Sequence, residues 1–325
     1  MQLAPALSVV VPCYNEQEVL PEFHDRLVPV MEAIGRSWEV VYVNDGSRDT
    51  TLSVMTGLAA ADPRVAVLNL SRNFGKEIAL TAGLDHARGS EGVVIIDADL
   101  QDPPEVIPEL VEAAGEGHDV AYAQRSARHG EGLLKRATAH AFYRVMQRLG
   151  GKVQLPQDTG DFRYMSRRAL DALLKLREQH RFMKGLFAWV GFPSIAVPYE
   201  RAPRAAGESK WNYWKLWNLS LEGITSFTVG PLKIATYLGL ATAFFAGLYL
   251  LQLVVRTIFF GNPTAGYPSL MAVVLFLGGV QLMTLGIIGE YLGRIFNETK
   301  GRPLYLVERH LPSSADREVS RRPAA

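Results

Sequence analysis

Val93–Glu105 reads VVIIDADLQDPPE, and this stretch decides the fold. Four β-branched residues run into two aspartates set one residue apart, Asp97 and Asp99. A short apolar run opened by a glycine, here Gly92, predicts a buried parallel strand. Ligands of open α/β sheets gather at the carboxyl ends of the strands, so this strand delivers both acids to that place. Strand side chains alternate between faces, and an i, i+2 pair therefore shares one. Two hard carboxylates on one side suit Mg2+ or Mn2+, which take oxygen ligands and bridge protein to phosphate. Pro103 and Pro104 stop the strand, with Pro104 placed for a first helical turn. Taken alone, an Asp-x-Asp pair is equally a solvated loop; its position at the end of an apolar strand favours the site.

Working outward, Leu7–Pro12 (LSVVVP) predicts a first strand, followed by a helical stretch to about Gly35. Trp38–Asn44 predicts a second strand, after which Ser47, Asp49 and Thr50 can cap a helix. Val65–Leu70 predicts a third strand, Val93 opens the fourth and Asp119–Gln124 gives a fifth. The alternation of strand and helix argues for a parallel sheet covered by helices. Neither a GxGxxG nor a P-loop is present, so a nucleotide would be held by loop side chains. Asn15 and Glu16, Asp45 and Lys76 follow successive strands and are candidates; each alone is equally a turn residue. Further on, Asp158 and Asp161 flank Gly160, as catalytic acids or as turn chemistry. Phe162–Met165 reads as an edge or short strand, and Ser166 can cap the helix after it.

The second half changes character. Residues 132–149 predict a basic amphipathic helix carrying Lys135 and Arg136, suited to an anionic membrane surface or to a phosphate. Residues 201–210 lack periodicity and offer Arg201, Arg204 and Lys210 to phosphate. Trp211, Trp214 and Trp217 form a stripe that suits a membrane–water interface. Ile234–Val255 and Leu270–Ile288 are two uncharged apolar runs. Each is long enough to cross about 30 Å of hydrocarbon. Lysines before the first run and basic residues after the second put both flanks in the cytoplasm. The expected organisation is a catalytic domain over 1–210, a juxtamembrane amphipathic helix over 211–230, two transmembrane helices within 231–293, and a C-terminal segment over 294–325 that is disordered from Pro312 onward.

Over 325 residues the formal charge is only +1, which gives no reason for a nucleic-acid surface. The single cysteine, Cys13, excludes an internal disulfide and reads as a buried inert thiol. No basic segment with an apolar core opens the chain, which predicts no cleaved signal peptide.

VVVPCYNE, VNDGSRD, SRNFGKE, DADLQDPPE, GDFRYMSR, AGESKW and GEYLGRIFNETKGRP occur here in one order. The set resembles the family 2 glycosyltransferases of GT-A fold that use a polyprenyl phosphate acceptor. It is similar above all to the bactoprenol glucosyltransferases of the GtrB type, and more distantly to dolichol-phosphate mannose synthases. The resemblance runs from about Leu7 to Pro303. It implies an α/β GT-A domain with interfacial helices and a two-helix transmembrane hairpin. It also implies a multi-pass protein of the bacterial inner membrane, with catalytic domain and both termini cytoplasmic. The expected reaction is inverting transfer of glucose from UDP-glucose to undecaprenyl phosphate; a homo-oligomer is left open.

By the same resemblance Asp97, Asp99 and Gln101 hold the metal. Pro12, Tyr14, Glu16 and Asp45 match uridine-binding positions, with Lys76 and Asp97 at the donor. Arg125, Lys135, Arg136, Ser209 and Lys210 match regions that handle the acceptor phosphate. Asp161 matches a position discussed as catalytic acid or base, with Asp158 close by. Other donors, GDP-mannose, UDP-GlcNAc or a UDP-aminoarabinose derivative, remain alternatives, as does a membrane-anchored nucleotide-binding scaffold without turnover. No QxxRW of a processive synthase occurs.

Overall fold

The computed structural model describes residues 4–126, 156, 159–201, 230–260 and 266–313. Among these, eight strands form one sheet in the order β7-β5-β6-β4-β1-β2-β3-β8. The middle is parallel: β1 (Leu7–Cys13) lies between β2 (Trp38–Asn44) and β4 (Gly92–Ile95), and β3 (Val65–Leu70) flanks β2. Side chains of β1 alternate between two cores. Leu7, Val9, Val11 and Cys13 face one, and Val10 faces the other. The first core is covered by α1 (Leu20–Ala33), α2 (Thr51–Ala61) and α4 (Ile107–Gly115). The second is covered by α3 (Lys76–His86), α5 (Arg167–Leu173) and α6 (Met183–Trp189). Each large apolar side chain so buried contributes about 1.5–3 kcal/mol. Cys13 is buried, as read. Gly83 lets α3 sit directly on the sheet: a Cβ there would come within 2.4 Å of Val10 and 2.9 Å of Val43.

The strands β2 and β3 have the expected bounds and β1 and β4 lie within one residue of theirs, whereas the far side of the sheet departs from the sequence reading. The segment expected as an edge or short strand is β6 (Thr159–Ser166), an interior strand antiparallel to both β4 and β5 (Val120–Arg125). Ser166 does cap α5, its hydroxyl accepting from the Ala169 amide at 3.2 Å. Thr50 precedes α2 without a side-chain cap; Asp49 instead accepts from the Thr51 amide at 3.0 Å. After Pro103 the chain first makes a 3-10 turn, Pro104–Val106, before α4. Two further strands complete the sheet. The strand β7 (Ser194–Tyr199) pairs with β5, and β8 (Val307–Leu311) runs antiparallel to β3.

Strand β8 comes from the segment after the apolar hairpin. The hairpin helices are α7 (Gly230–Phe260) and α8 (Tyr267–Thr299). Their apolar windows are Leu232–Tyr249, 11% buried, and Phe276–Thr299, 0% buried; helices of a soluble core would be mostly covered. The chain then returns to the sheet: Tyr305 donates to Asp85 at 2.8 Å and Ser313 to the buried Glu39 at 2.8 Å. Ser313 is itself buried, so order persists beyond Pro312. Lys135, Arg136, Asp158, Ser209, Lys210 and the tryptophan stripe lie outside the described residues, as do the amphipathic helix of 132–149 and the chain from 314.

Candidate active site

The carboxyl ends of β1, β2, β3 and β4 open on one edge of the sheet, and the amino end of β6 opens there too. Register explains the central pair. Across β4 and β6, Ile95 stands opposite Arg163 and Gly92 opposite Ser166. Continuing that register two residues beyond Ile95 sets Asp97 against Asp161. Lys76, on the first turn of α3, joins them: its ammonium lies 2.6 Å from Asp97 Oδ2 and 2.7 Å from Asp161 Oδ2.

The strand β4 ends at Ile95, so Asp97 and Asp99 do not share a ladder face as the sequence suggested. They stand in the turn beyond it. Burial still alternates there: Ile96, Ala98 and Leu100 are buried, Asp97 and Asp99 half-buried. Leu100 holds φ +57°. A left-handed non-glycine residue costs about 1–3 kcal/mol and is retained where the surroundings enforce it. Asp99 Oδ1 accepts from the Gln101 amide at 3.2 Å, closing the turn.

The electrostatics follow from crowding. Burial lowers the affinity of Lys76 for its proton, but the charges of Asp161 and Asp97 outweigh that and hold its pKa well above the ordinary value. Burial raises the Asp97 carboxyl; Lys76 pulls it back, and the charge of Asp161 adds to the rise. Asp161 is buried too, yet Lys76, Lys184 and Arg163 together hold it well below the usual carboxylate range. Its Oδ1 is buried without a hydrogen-bond partner among the described residues. Glu77, next to Lys76, is pushed up to about 7 by burial and then by Asp161.

The loops after β1 and β2 are braced together. The Asn15 amide donates to Ser47 Oγ at 3.0 Å, the Arg48 amide to Asn15 Oδ1 at 2.9 Å, and the Glu16 amide to Thr51 Oγ1 at 2.9 Å. Pro12, Tyr14 and Glu16 are half-buried along this rim. Asp45 is buried, and its two oxygens accept from the Phe74 and Gly75 amides at 2.7 and 3.0 Å. Burial raises its pKa despite those bonds. Gly46 permits the approach: at φ +63°, a Cβ there would meet Asn73 N at 2.4 Å.

On the other side, Gly160 lies between Arg125 Nη2 and Asp102 Oδ2, each 3.7 Å from where its Cβ would be. The buried Asp102 accepts from the Tyr199 hydroxyl, and Arg201 Nε is 3.6 Å away. The sequence reading missed Asp102, Glu77, Arg163, Lys184 and Tyr199. Three of these five, Glu77, Asp102 and Arg163, lie inside motifs already quoted, but only the fold shows that they converge.

A divalent cation fits this edge. Asp97 and Asp99 supply hard oxygens, and Asp97 meets further negative charge from Asp161 and Asp102. Among the described residues no group of three or more His, Cys, Asp or Glu gathers for a metal. The remaining ligands would therefore come from Gln101, water and a bound diphosphate.

A mostly parallel sheet covered by helices, with paired acids beyond a central strand and no glycine-rich phosphate loop, defines a GT-A glycosyltransferase. The chain belongs to the glycosyl transferase family 2, whose model matches residues 8–174; a GtrB C-terminal hairpin matches 230–295. It is therefore an enzyme of membrane-associated type. It is 48% identical to the SfII prophage-derived bactoprenol glucosyl transferase of Shigella flexneri over 303 residues, covering 93% of this chain and 97% of that one. It is 47% identical to the prophage bactoprenol glucosyl transferase homolog of Escherichia coli, with 93% and 98% covered. A glycosyltransferase of Synechocystis is 50% identical, with 93% and 94% covered. Among solved structures, glucosyl-3-phosphoglycerate synthase of Mycobacterium tuberculosis has a TM-score of 0.48 at 20% identity over 68% of this chain and 76% of that one.

Proposed function

We propose that the protein transfers glucose from UDP-glucose to undecaprenyl phosphate at the cytoplasmic face of the bacterial inner membrane. The observation that carries this reading is the Asp97–Lys76–Asp161 bridge at the open edge of the sheet, in a chain that also has an exposed apolar hairpin. The similarity to bactoprenol glucosyl transferases supports the acceptor and the sugar. Residues 1–210 and β8 form the catalytic unit, 211–230 the interfacial helix, and α7 and α8 the two spans, with both termini cytoplasmic.

The donor's uridine lies along Pro12, Tyr14, Glu16 and Asp45, and its diphosphate at Asp97, Asp99 and Gln101. Bound there, Mg2+ or Mn2+ would neutralise the charge that gathers on departing UDP. Lys76 releases Asp97 to take a phosphate oxygen while keeping Asp161. The acceptor phosphate enters from the β5–β6 side, where Arg125 stands, with Lys135, Arg136, Ser209 and Lys210 assigned to it by resemblance. Its oxygen forms the new bond to C1 as the bond from C1 to the β-phosphate oxygen breaks, the electron pair leaving with UDP. Attack in line inverts the α linkage to β.

A phosphate monoester, with a second pKa of about 6, is largely ionised at neutral pH, so no strong base is required. Asp161, held far below the ordinary carboxylate pKa, is a weak proton acceptor and acts by position and charge; Asp158 is the neighbouring acid to compare with it. Full-length protein in bilayers, offered undecaprenyl phosphate and UDP-glucose, UDP-GlcNAc, UDP-aminoarabinose or GDP-mannose, should give one lipid product heavier by a glucose. A product from another donor alone would reassign the sugar, and none from any donor would remove the reading.

A further inference from the structure

Lys184 is the second residue of α6, a helix fixed to the site at three points. The Met183 amide donates to Glu77 Oε2 at 3.0 Å, tying the start of α6 to the first turn of α3 beside Lys76. The Thr81 hydroxyl on α3 meets the Met183 sulfur at 3.8 Å. One turn on from Lys184, the ring of Phe187 lies 3.7 Å beneath the Arg163 guanidinium. Arg163 in turn donates to the carbonyls of Asp161 at 3.1 Å and Gly160 at 2.9 Å.

The cations of this cluster divide by what they already hold. Lys76 is taken by Asp97 and Asp161. Arg163 is taken by two carbonyls and a ring. Arg125 lies against Tyr199. Lys184 has no hydrogen-bond or ion-pair partner among the described residues, although it is half-buried and sits in the fields of Asp161, Lys76, Glu77 and Arg125. Burial is the largest influence on its ammonium and, with Lys76, lowers its pKa below the ordinary lysine value. A half-buried cation without a hydrogen-bond or ion-pair partner is costly unless an anion arrives. The donor's diphosphate belongs at the turn beyond β4, whereas Lys184 stands on the β6 side with Arg125 and Asp161.

We propose that Lys184 binds the phosphate of the acceptor and holds its attacking oxygen beside Asp161, which rests on the polyprenyl phosphate reading above. A phosphate monoester near its full charge of −2 gains a charge-assisted hydrogen bond there, a contact of the stronger class.

The test uses full-length protein with a water-soluble short-chain prenyl phosphate as the varied acceptor, so that bilayer effects drop out. Lys184→Gln should raise the acceptor KM by about 10- to 100-fold, the range for a hydrogen bond to a charged group, and leave the KM for UDP-glucose within about 2-fold. Lys184→Arg, which keeps the charge, should recover most of the loss. UDP binding by each variant checks that the donor half is folded. An unchanged acceptor KM in Lys184→Gln, an equal rise in the donor KM, or equal acceptor KM values for the Gln and Arg variants would overturn the assignment. A wild-type enzyme that binds UDP-glucose but glycosylates no prenyl phosphate would instead overturn the acceptor reading, and this inference with it.

Discussion

The parallel run β4-β1-β2-β3 and the mixed run β6-β5-β7 meet at one seam, and they serve it differently. The parallel run supplies loops after successive strands that brace one another through backbone amides, as between Asn15 and Ser47 or Asp45 and Phe74. The mixed run supplies side chains from strands: Asp161 and Arg163 from β6, Arg125 from β5 and Tyr199 from β7. Lys76 belongs to the first and reaches the second. The difference teaches that donor and acceptor groups can be perturbed separately, with Lys76 as the coupling.

The largest expected effect falls on the mixed side. Asp161→Asn removes one of the two carboxylates paired with Lys76 but keeps the size of the side chain. If Asp161 positions rather than abstracts a proton, kcat should fall by about 10- to 100-fold, with the shape of the pH–rate profile unchanged. Near-total loss at every pH would restore a true base.

On the parallel side, Gly46→Ala forces a left-handed non-glycine residue and a contact of 2.4 Å with Asn73 N. Denaturant unfolding should show a loss of about 1–3 kcal/mol. The KM for donor should rise while that for acceptor holds; equal changes in both would deny that the two sides are separable.

The smallest effect is one of pH. The Glu77 carboxyl is raised from 4.5 to about 7, burial first and Asp161 next. A raised carboxyl pKa means that the fold prefers the protonated form. That stability is complete below about 4.5 and is lost as pH rises through about 7. Glu77→Gln, whose side-chain carbonyl can still accept from the Met183 amide, should flatten the fall in stability between pH 5 and 8. Parallel curves for variant and wild type would contradict the assignment.

The same contrast governs what the sequence disclosed. Strands β2 and β3 were legible residue for residue because strands buried on both faces are continuous apolar runs. Strand β8 was not: VERHL carries charge at an exposed edge, where polar residues protect against further pairing. Strand β7 has the exposed Pro198 within it and opens on the exposed Ser194, so alternation gave little signal. The acids Asp97 and Asp161 were each found from their motifs. That they face one another depends on antiparallel register between distant segments, which spacing along the chain does not encode. Lys76 was read only as one of the loop side chains that could hold a nucleotide, for the same reason. Lys184 went unread, because its lack of a hydrogen-bond or ion-pair partner is visible only once α6 is packed.

The most direct test of the central claim is calorimetric titration of UDP into the full-length protein, with Mn2+, with EDTA, and with Asp97→Ala in place of the wild type. The account predicts binding by the wild type with Mn2+, and loss of at least about 10-fold in affinity either on chelation or on removing the Asp97 carboxylate. Equal affinity in all three titrations would contradict it, because the diphosphate would then be held without the acids at the end of β4.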